Sequence, residues 1–145
     1  ICADEKTQLQ ALARRHPLVG PGPGRRGLIE HEYRRRGTLA YLAAMDVHEP
    51  ARGLFGRCEP TISNDAFDAL IGQVMAAEPY ASAARVFLIV DNGTVHRGQR
   101  AIRRLQGAWA NLEVVHLPVH ASWLNQIEIY FSILARKALT PGHFA

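Results

Sequence analysis

The feature that most restricts the possible folds of this chain is the apolar segment at residues 86–90, which runs directly into Asp91, Asn92 and Gly93. Five consecutive apolar side chains predict a strand that is buried on both faces, as strands of parallel sheets are. The Asp-Asn-Gly sequence ends the strand, because these residues favour turns. The segment therefore predicts an α/β protein with Asp91 at the carboxyl end of a strand, where such folds bind ligands.

The rest of the pattern predicts three β elements before the first helix and an alternation of helices and strands after it. The β elements are a first strand at the amino end, a pair of extended segments with a turn at Arg36-Gly37, and a strand within residues 51–61. Helices are expected at residues 63–78, 98–109 and 122–137, with strands at 85–90 and 113–117. This order predicts an α/β fold with a mixed sheet flanked by helices.

The chain has a net charge of +4, and most of its 17 basic residues are arginines, whose planar group suits phosphate. This charge permits a nucleic-acid partner, but a solvated basic surface explains it equally well. An arginine pair lies in the Gly/Pro-rich loop at residues 18–27, and a run of three arginines follows it. The candidate DNA contacts are Arg25, Arg26, Arg34, Arg35, Arg36 and Arg97.

The cellular setting is predicted from absences. No apolar run approaches the roughly 20 residues that cross a bilayer, and no targeting segment is recognisable. Cys2 and Cys58 form no metal-type spacing, so we expect two small buried side chains in a reduced compartment. These features predict a cytoplasmic protein with no membrane partner.

Two further carboxylates lie where they can join Asp91. Asp4 falls within the predicted first strand, with Glu5 on its opposite face. Glu128 lies on the last helix, whose apolar neighbours predict that the helix is largely buried. Singly, Asp91 is also explained as a turn residue and Glu128 as a solvated one. Together, the three predict a cluster at one edge of the sheet.

Such a cluster needs a cation, because like charges at short range repel each other. Oxygen ligands alone favour Mg²⁺ or Mn²⁺ over zinc. Two such ions, about 4 Å apart, can activate a water or a 3′-hydroxyl and stabilise the leaving oxygen of a phosphoryl transfer. The hypothesis is therefore metal-assisted cleavage of nucleic acid.

The chain resembles the catalytic domain of bacterial insertion-sequence transposases of the DDE type, in the branch related to mariner elements. The segments that carry the resemblance are ADEKTQLQAL, HEYRRRGTLAYLAAMDV, VDNGTVHRG and HASWLNQIEIYFSILARKAL, which span nearly the whole chain in order. The resemblance implies an RNase H-like fold. It also implies a metal-binding catalytic triad of Asp4, Asp91 and Glu128.

The same resemblance marks Asn92, His96 and Asn125 as neighbours of the triad. His96 could donate to Asp91 or to a phosphate, and a surface or helix-capping role is the alternative. Asn125, one helical turn before Glu128, could orient that carboxylate. Trp123 could stack on a base, although its helical spacing favours a place in the core.

The resemblance further implies what the chain acts on. We expect one catalytic domain over residues 1–145, a fragment without the helix-turn-helix region that precedes this domain in the family. Its partners would be double-stranded DNA, at element ends and target, and a second copy of the chain in a synaptic complex. Its reactions would be strand cleavage and 3′-hydroxyl strand transfer near the bacterial nucleoid. A structure-selective nuclease without strand transfer, and an inert copy that only binds DNA, remain as alternatives.

Overall fold

The computed structural model of the chain describes residues 1–139, so the last six residues of the predicted domain lie outside the described part. It contains a five-stranded sheet and three α-helices. The strands are β1 (Cys2–Arg14), β2 (Tyr33–Met45), β3 (Leu54–Glu59), β4 (Val86–Val90) and β5 (Leu112–His116). The helices are α1 (Asn64–Met75), α2 (Gly98–Ala108) and α3 (Ile127–Leu134).

The sheet is mixed, as predicted. Its strand order is β3-β2-β1-β4-β5. β2 pairs antiparallel with both β1 and β3, whereas β4 is parallel to both β1 and β5. β1 and β4 therefore run in the same direction, and the carboxyl end of β4 lies beside the first residues of β1.

Helices α1 and α2 cover one face of the sheet and form the larger core. The predicted spacing of α1 holds, because Phe67, Leu70, Ile71 and Val74 are all buried. The predicted cap holds as well, since the Ser63 side chain accepts from the backbone N–H of Ala66. Each large apolar side chain in this core contributes roughly 1.5–3 kcal/mol.

Helix α3 covers the opposite face, but only in part. Ile127 and Phe131 of α3 pack on Cys2 and Ala43 of the two central antiparallel strands. This short helix leaves Phe87 of β4 48% exposed, so the prediction that β4 is buried on both faces is wrong. The prediction of burial holds for Cys2 and is wrong for Cys58, which is exposed on β3.

The predicted turn at Arg36-Gly37 is also wrong, because β2 runs through it as one strand. β1 is equally long and supplies partners on both sides of this point: Gln10 pairs with Thr38, and Leu12 with Arg35. The register shifts between these pairs, so Gly37 lies in a bulge, where its φ of +143° suits a residue without a Cβ. The chain instead reverses in the loop at residues 15–32, which includes the loop predicted at 18–27.

The last predicted helix is interrupted. Residues Ser122–Leu124 form a single 3₁₀ turn, α3 follows, and Ala135–Leu139 continue as a π-helical turn. Asn125 lies between the first two with an extended ψ of 110°. Its side-chain amide donates to the carbonyl of Ala3 at 3.0 Å, which holds the residue off the helical path. Among the described residues, no helix is long and apolar enough to cross a bilayer.

Candidate active site

The parallel pairing of β1 with β4 brings Asp4 and Asp91 together. Cys2 is in register with Ile89, and each carboxylate lies two residues further along its strand. One ligand atom each from Asp4, Asp91 and His96 can be chosen so that all three lie within 4.8 Å of one another. The sheet edge therefore carries the predicted juxtaposition of two of the three carboxylates.

Asp4 is held in an environment that disfavours its charge. Burial raises the pKa of this carboxyl to about 8, and the charges of Asp91, Glu5 and Glu128 act in the same direction. The backbone N–H of Glu5, which donates to Asp4 Oδ1 at 2.8 Å, opposes the shift only in part. A bound cation would remove this penalty, because it compensates the charges that cause it.

Asp91 is oriented by two contacts from the loop that follows it, and Gly93 N–H also donates to His96 Nε2 at 3.1 Å. Gly93 N–H donates to Asp91 Oδ1 at 2.7 Å, and His96 Nε2 lies 2.6 Å from the same oxygen. The His96 ring is fully buried against Phe67, with 5.1 Å between the ring centroids. His96 thus contacts Asp91, one of the roles that the sequence left open, and its burial excludes the surface role.

Asn125 is buried beside Asp4. Its amide nitrogen lies 3.0 Å from the Ala3 carbonyl and 3.5 Å from Asp4 Oδ2. The sequence placed Asn125 in one helix with Glu128, facing that carboxylate. In the structure the Asn125 side chain instead contacts β1, because the helix is interrupted at this residue.

Glu128 lies in the first turn of α3, and its backbone N–H donates to the carbonyl of Asn125 at 3.0 Å. Its side chain is exposed, so the prediction of a largely buried helix around it is wrong. Its charge nonetheless contributes to the raised pKa of Asp4, which puts the two carboxylates within electrostatic reach. Trp123, favoured for the core, is 75% exposed just before this helix.

A cleft of about 430 Å³ opens next to Asp91. Asn92 and Arg97 line it from the loop after β4, and His120 and Ser122 from the segment after β5. Asn92 Nδ2 donates to the carbonyl of Leu117 at 2.8 Å and so ties the two sides together. Asn92, a predicted neighbour of the triad, and Arg97, a predicted DNA contact, therefore lie beside Asp91, and the cleft has the size of a small ligand site.

The other predicted arginines lie far from the carboxylates. We call residues 9–39 the β-ribbon arm, which comprises the outer parts of β1 and β2 and their connecting loop. Arg34 pairs with Ala13, roughly 25–30 Å along β1 from Asp4 at ~3.3 Å per residue. All five arm arginines predicted as DNA contacts are exposed: Arg25, Arg26, Arg34, Arg35 and Arg36.

Glu5 is a residue of the site to which the sequence assigned no role. It lies on the opposite face of β1 from Asp4, as predicted, yet its Oε2 is 3.9 Å from His96 Nδ1. Burial raises the pKa of this carboxyl, and the charge of Asp91 contributes to the rise. The one signal in the sequence was a second acidic residue in an otherwise apolar strand start.

The side chains at this edge fit a hard divalent cation. The oxygens of Asp4 and Asp91 are of the type that Mg²⁺ and Mn²⁺ prefer. Three buried polar atoms of the described residues lack a hydrogen-bond partner, and all belong to this cluster: Glu5 Oε2, His96 Nδ1 and Asn125 Oδ1. Buried polar atoms without partners are rare, so their concentration here indicates a place for a further group.

The fold and the site together define an RNase H-like α/β domain in which Asp91, at the carboxyl end of β4, lies beside Asp4, near the start of β1. The chain belongs to the DDE superfamily endonuclease family, whose sequence model matches residues 1–144. Comparisons with curated proteins and with solved structures gave no match. The resemblance to a DDE-type transposase catalytic domain is thereby confirmed. Members of this superfamily act on DNA with divalent metal ions.

Gly93 is required for the packing around Asp91. A Cβ at this position would lie 2.7 Å from His96 Nε2 and 3.0 Å from Asp91 Oδ1. We therefore expect Gly93→Ala to displace both side chains and to lower metal-dependent DNA cleavage by about 10- to 100-fold, the usual effect of disturbing groups that orient ligands. The matched control is Gly107→Ala in α2, where nothing lies within 4 Å of the added carbon. Equal cleavage by both variants would contradict this prediction.

Proposed function

We propose that this chain is the catalytic domain, over residues 1–145, of a bacterial insertion-element transposase of the mariner-related branch. It cleaves DNA strands at element ends and joins the exposed 3′-hydroxyl to target DNA. The observation that carries the proposal is the juxtaposition of Asp4, near the start of β1, and Asp91, at the carboxyl end of β4. Membership of the DDE superfamily endonucleases supports the cleavage step.

In the proposed mechanism, Asp4, Asp91 and Glu128 would hold two Mg²⁺ or Mn²⁺ ions. Such ions, when bound, would supply activation of the attacking water or 3′-hydroxyl and stabilisation of the leaving oxygen. Asp91 is kept in place by Gly93 and His96, and Asp4 by Glu5 N–H and Asn125. Glu128 approaches from an exposed helix start, so it can follow the substrate without rearranging the core.

The β-ribbon arm is proposed to hold DNA through its phosphates. It carries seven arginines against Glu30 and Glu32, an excess larger than the net charge of +4 of the whole chain. Some of this charge is paired, since Arg15 bonds Glu32 at 2.8 Å. A two-stranded antiparallel ribbon has dimensions that the DNA major groove admits. Arg97, in the cleft beside Asp91, would contact phosphates near the scissile bond.

The arm predicts a specific salt dependence of binding. Replacing Arg25 and Arg26 together with alanine removes two phosphate contacts, so the slope of log K against log salt should become shallower by about 2. Affinity at low salt should fall several-fold for any DNA sequence. The measurement is a fluorescence-anisotropy titration of a DNA duplex at several salt concentrations. Arg103→Ala, on the exposed side of α2, is the control. If this single substitution changes the slope by as much as each arm arginine does, the arm is not the contact surface.

Trp123 is proposed to stack on a base near the cleavage site. Its ring is 75% exposed, and the residue directly follows Ser122, which lines the cleft beside Asp91. Exposure of so large an apolar ring is costly for a lone domain, whereas stacking on an unpaired base stabilises a complex by roughly 1–3 kcal/mol. This supports the binding alternative over the core placement favoured by helical spacing.

A plasmid assay separates this proposal from its alternatives. The full chain is incubated with supercoiled plasmid and labelled DNA carrying a free 3′-hydroxyl, with Mg²⁺, with Mn²⁺ or with chelator. Metal-dependent nicking together with joined products supports the transposase. Nicking without joining selects the structure-selective nuclease, and salt-sensitive binding without nicking selects the inert DNA-binding copy. Sizing of the DNA complex then tests whether two copies of the chain assemble on it.

A further inference from the structure

We propose that Glu5 is a positioning residue that holds Asp91 in place through the imidazole of His96. The inference deepens the proposed function, because the position of Asp91 matters only if this carboxylate holds a metal ion. Glu5 does not contact Asp91 by hydrogen bonding. It acts on the far side of the ring, at Nδ1, while Nε2 contacts Asp91.

The first argument is that the two unpartnered atoms face each other. His96 Nδ1 and Glu5 Oε2 are both buried, and neither has a hydrogen-bond partner. They lie 3.9 Å apart, so an approach of about 1 Å makes an ordinary hydrogen bond in which Nδ1–H donates to the carboxylate.

The second argument is that the ring is held at Nε2 but has no hydrogen bond at Nδ1. Gly93 N–H donates to Nε2 at 3.1 Å, and Asp91 Oδ1 lies 2.6 Å from the same nitrogen. The backbone of His96 is anchored, since its carbonyl accepts from His116 Nε2 at 2.6 Å. Its ring packs on Phe67, which provides a surface but no direction for the nitrogens. An acceptor at Nδ1 adds a second point of attachment on the opposite side of the ring. Glu5 therefore strengthens the orientation in which Nε2 faces Asp91.

The third argument is that Glu5 and Asp4, although close enough to interact, have different partners on the two faces of β1. Asp4 contacts Asn125, which approaches from the side of α3. Glu5 contacts His96, which packs on Phe67 of α1 on the other side of the sheet. Asp4 thus supports the proposed metal centre as a ligand, whereas Glu5 supports it by orienting His96.

The test compares Glu5→Gln, which keeps an acceptor oxygen, with Glu5→Met, which keeps the length but has no comparable acceptor. The first readout is the ¹⁵N-¹H spectrum of the His96 ring in the metal-free full chain. We expect a protected Nδ1–H signal in the wild type and in Glu5→Gln, and its loss in Glu5→Met. The second readout is Mn²⁺ affinity, measured by calorimetry, which should fall about 10-fold in Glu5→Met and less than about 3-fold in Glu5→Gln.

A double variant tests whether the effect passes through the ring. In a His96→Asn background, Glu5→Met should have no further effect on Mn²⁺ affinity, because residues acting as a unit are not additive. Glu113→Met, on the exposed side of β5, controls for the loss of one negative charge. Circular dichroism checks that each variant is folded.

Three results would overturn the inference. They are an unchanged Nδ1–H signal in Glu5→Met, additive losses in the double variant, and a loss of Mn²⁺ affinity in Glu5→Gln as complete as that in Asp4→Asn, which would make Glu5 a ligand. If the wild type binds no Mn²⁺, the proposed function fails. The ring spectrum still decides the contact between Glu5 and His96.

Discussion

Asp91→Asn is expected to abolish metal-dependent DNA cleavage while the chain stays folded. The amide keeps the shape of the carboxylate, and its oxygen still accepts from Gly93 N–H, so the loop after β4 should be preserved. What is lost is one of the two charges that the sheet edge offers to a cation. A metal ion supplies several kcal/mol of transition-state stabilisation, so the rate should fall by at least about 10³-fold.

The measurement is the initial rate of plasmid nicking in Mg²⁺ and in Mn²⁺, with thermal melting to confirm the fold. Asp65→Asn, exposed in the first turn of α1, is the matched control and should cleave like the wild type. Cleavage by Asp91→Asn at the control's rate would remove Asp91 from the mechanism. A loss in both variants would instead indicate general destabilisation.

Asp4→Asn is expected to make the metal-free protein more stable. The folded-state pKa of Asp4 is about 8, because burial raises it from its ordinary value of 3.8. Below about pH 4 the carboxyl is protonated in both states and contributes nothing. As the pH rises from there to about 8, the wild type loses stability, because only the unfolded state ionises freely. The variant lacks this loss.

The stability gain should therefore grow between pH 4 and pH 8 and then level off. We expect about 1–3 kcal/mol at the plateau, the cost of burying an uncompensated polar group, which corresponds to roughly 3–10 °C in Tm. The measurement is thermal melting in chelator across this pH range. Added Mn²⁺ should stabilise the wild type and have little effect on the variant.

Asp46→Asn provides a control of opposite sign. Although partial burial raises the pKa of Asp46, hydrogen bonds from His48 N–H and the Tyr80 hydroxyl outweigh it and lower the pKa overall. Its charge stabilises the folded state at neutral pH, and this contribution is lost as the pH falls through the lowered pKa. Asp46→Asn should thus destabilise where Asp4→Asn stabilises. A loss of stability in both variants would contradict the interpretation of Asp4.

The features that the sequence predicted correctly depend on interactions between residues close in sequence. The apolar spacing of α1 and its Ser63 cap are local, and so is the change from an apolar strand to a turn at Asp91. The order of these elements was enough for a mixed sheet, because parallel strands need helical crossovers. The motif resemblance then linked Asp4, Asp91 and Glu128 to one chemistry.

The features that the sequence predicted wrongly depend on contacts between residues distant in sequence. Gly37 stays in a strand because β1 pairs with β2 on both sides of it. Asn125 interrupts the last helix because it bonds to Ala3, at the other end of the chain. Because of that interruption, Trp123 is exposed, and the Asn125 side chain contacts Asp4 rather than Glu128.

The sequence by itself determined the class of fold, the position of Asp91 at a strand end and the acidic residues available for catalysis. Only the tertiary structure decided which of them meet, with Asp4 beside Asp91 and Glu5 behind His96. The physical reason is that periodicity and turn preferences act within a few residues. The contacts of this site depend instead on the register of β1 against β4 and on the packing of a buried ring, which join distant segments.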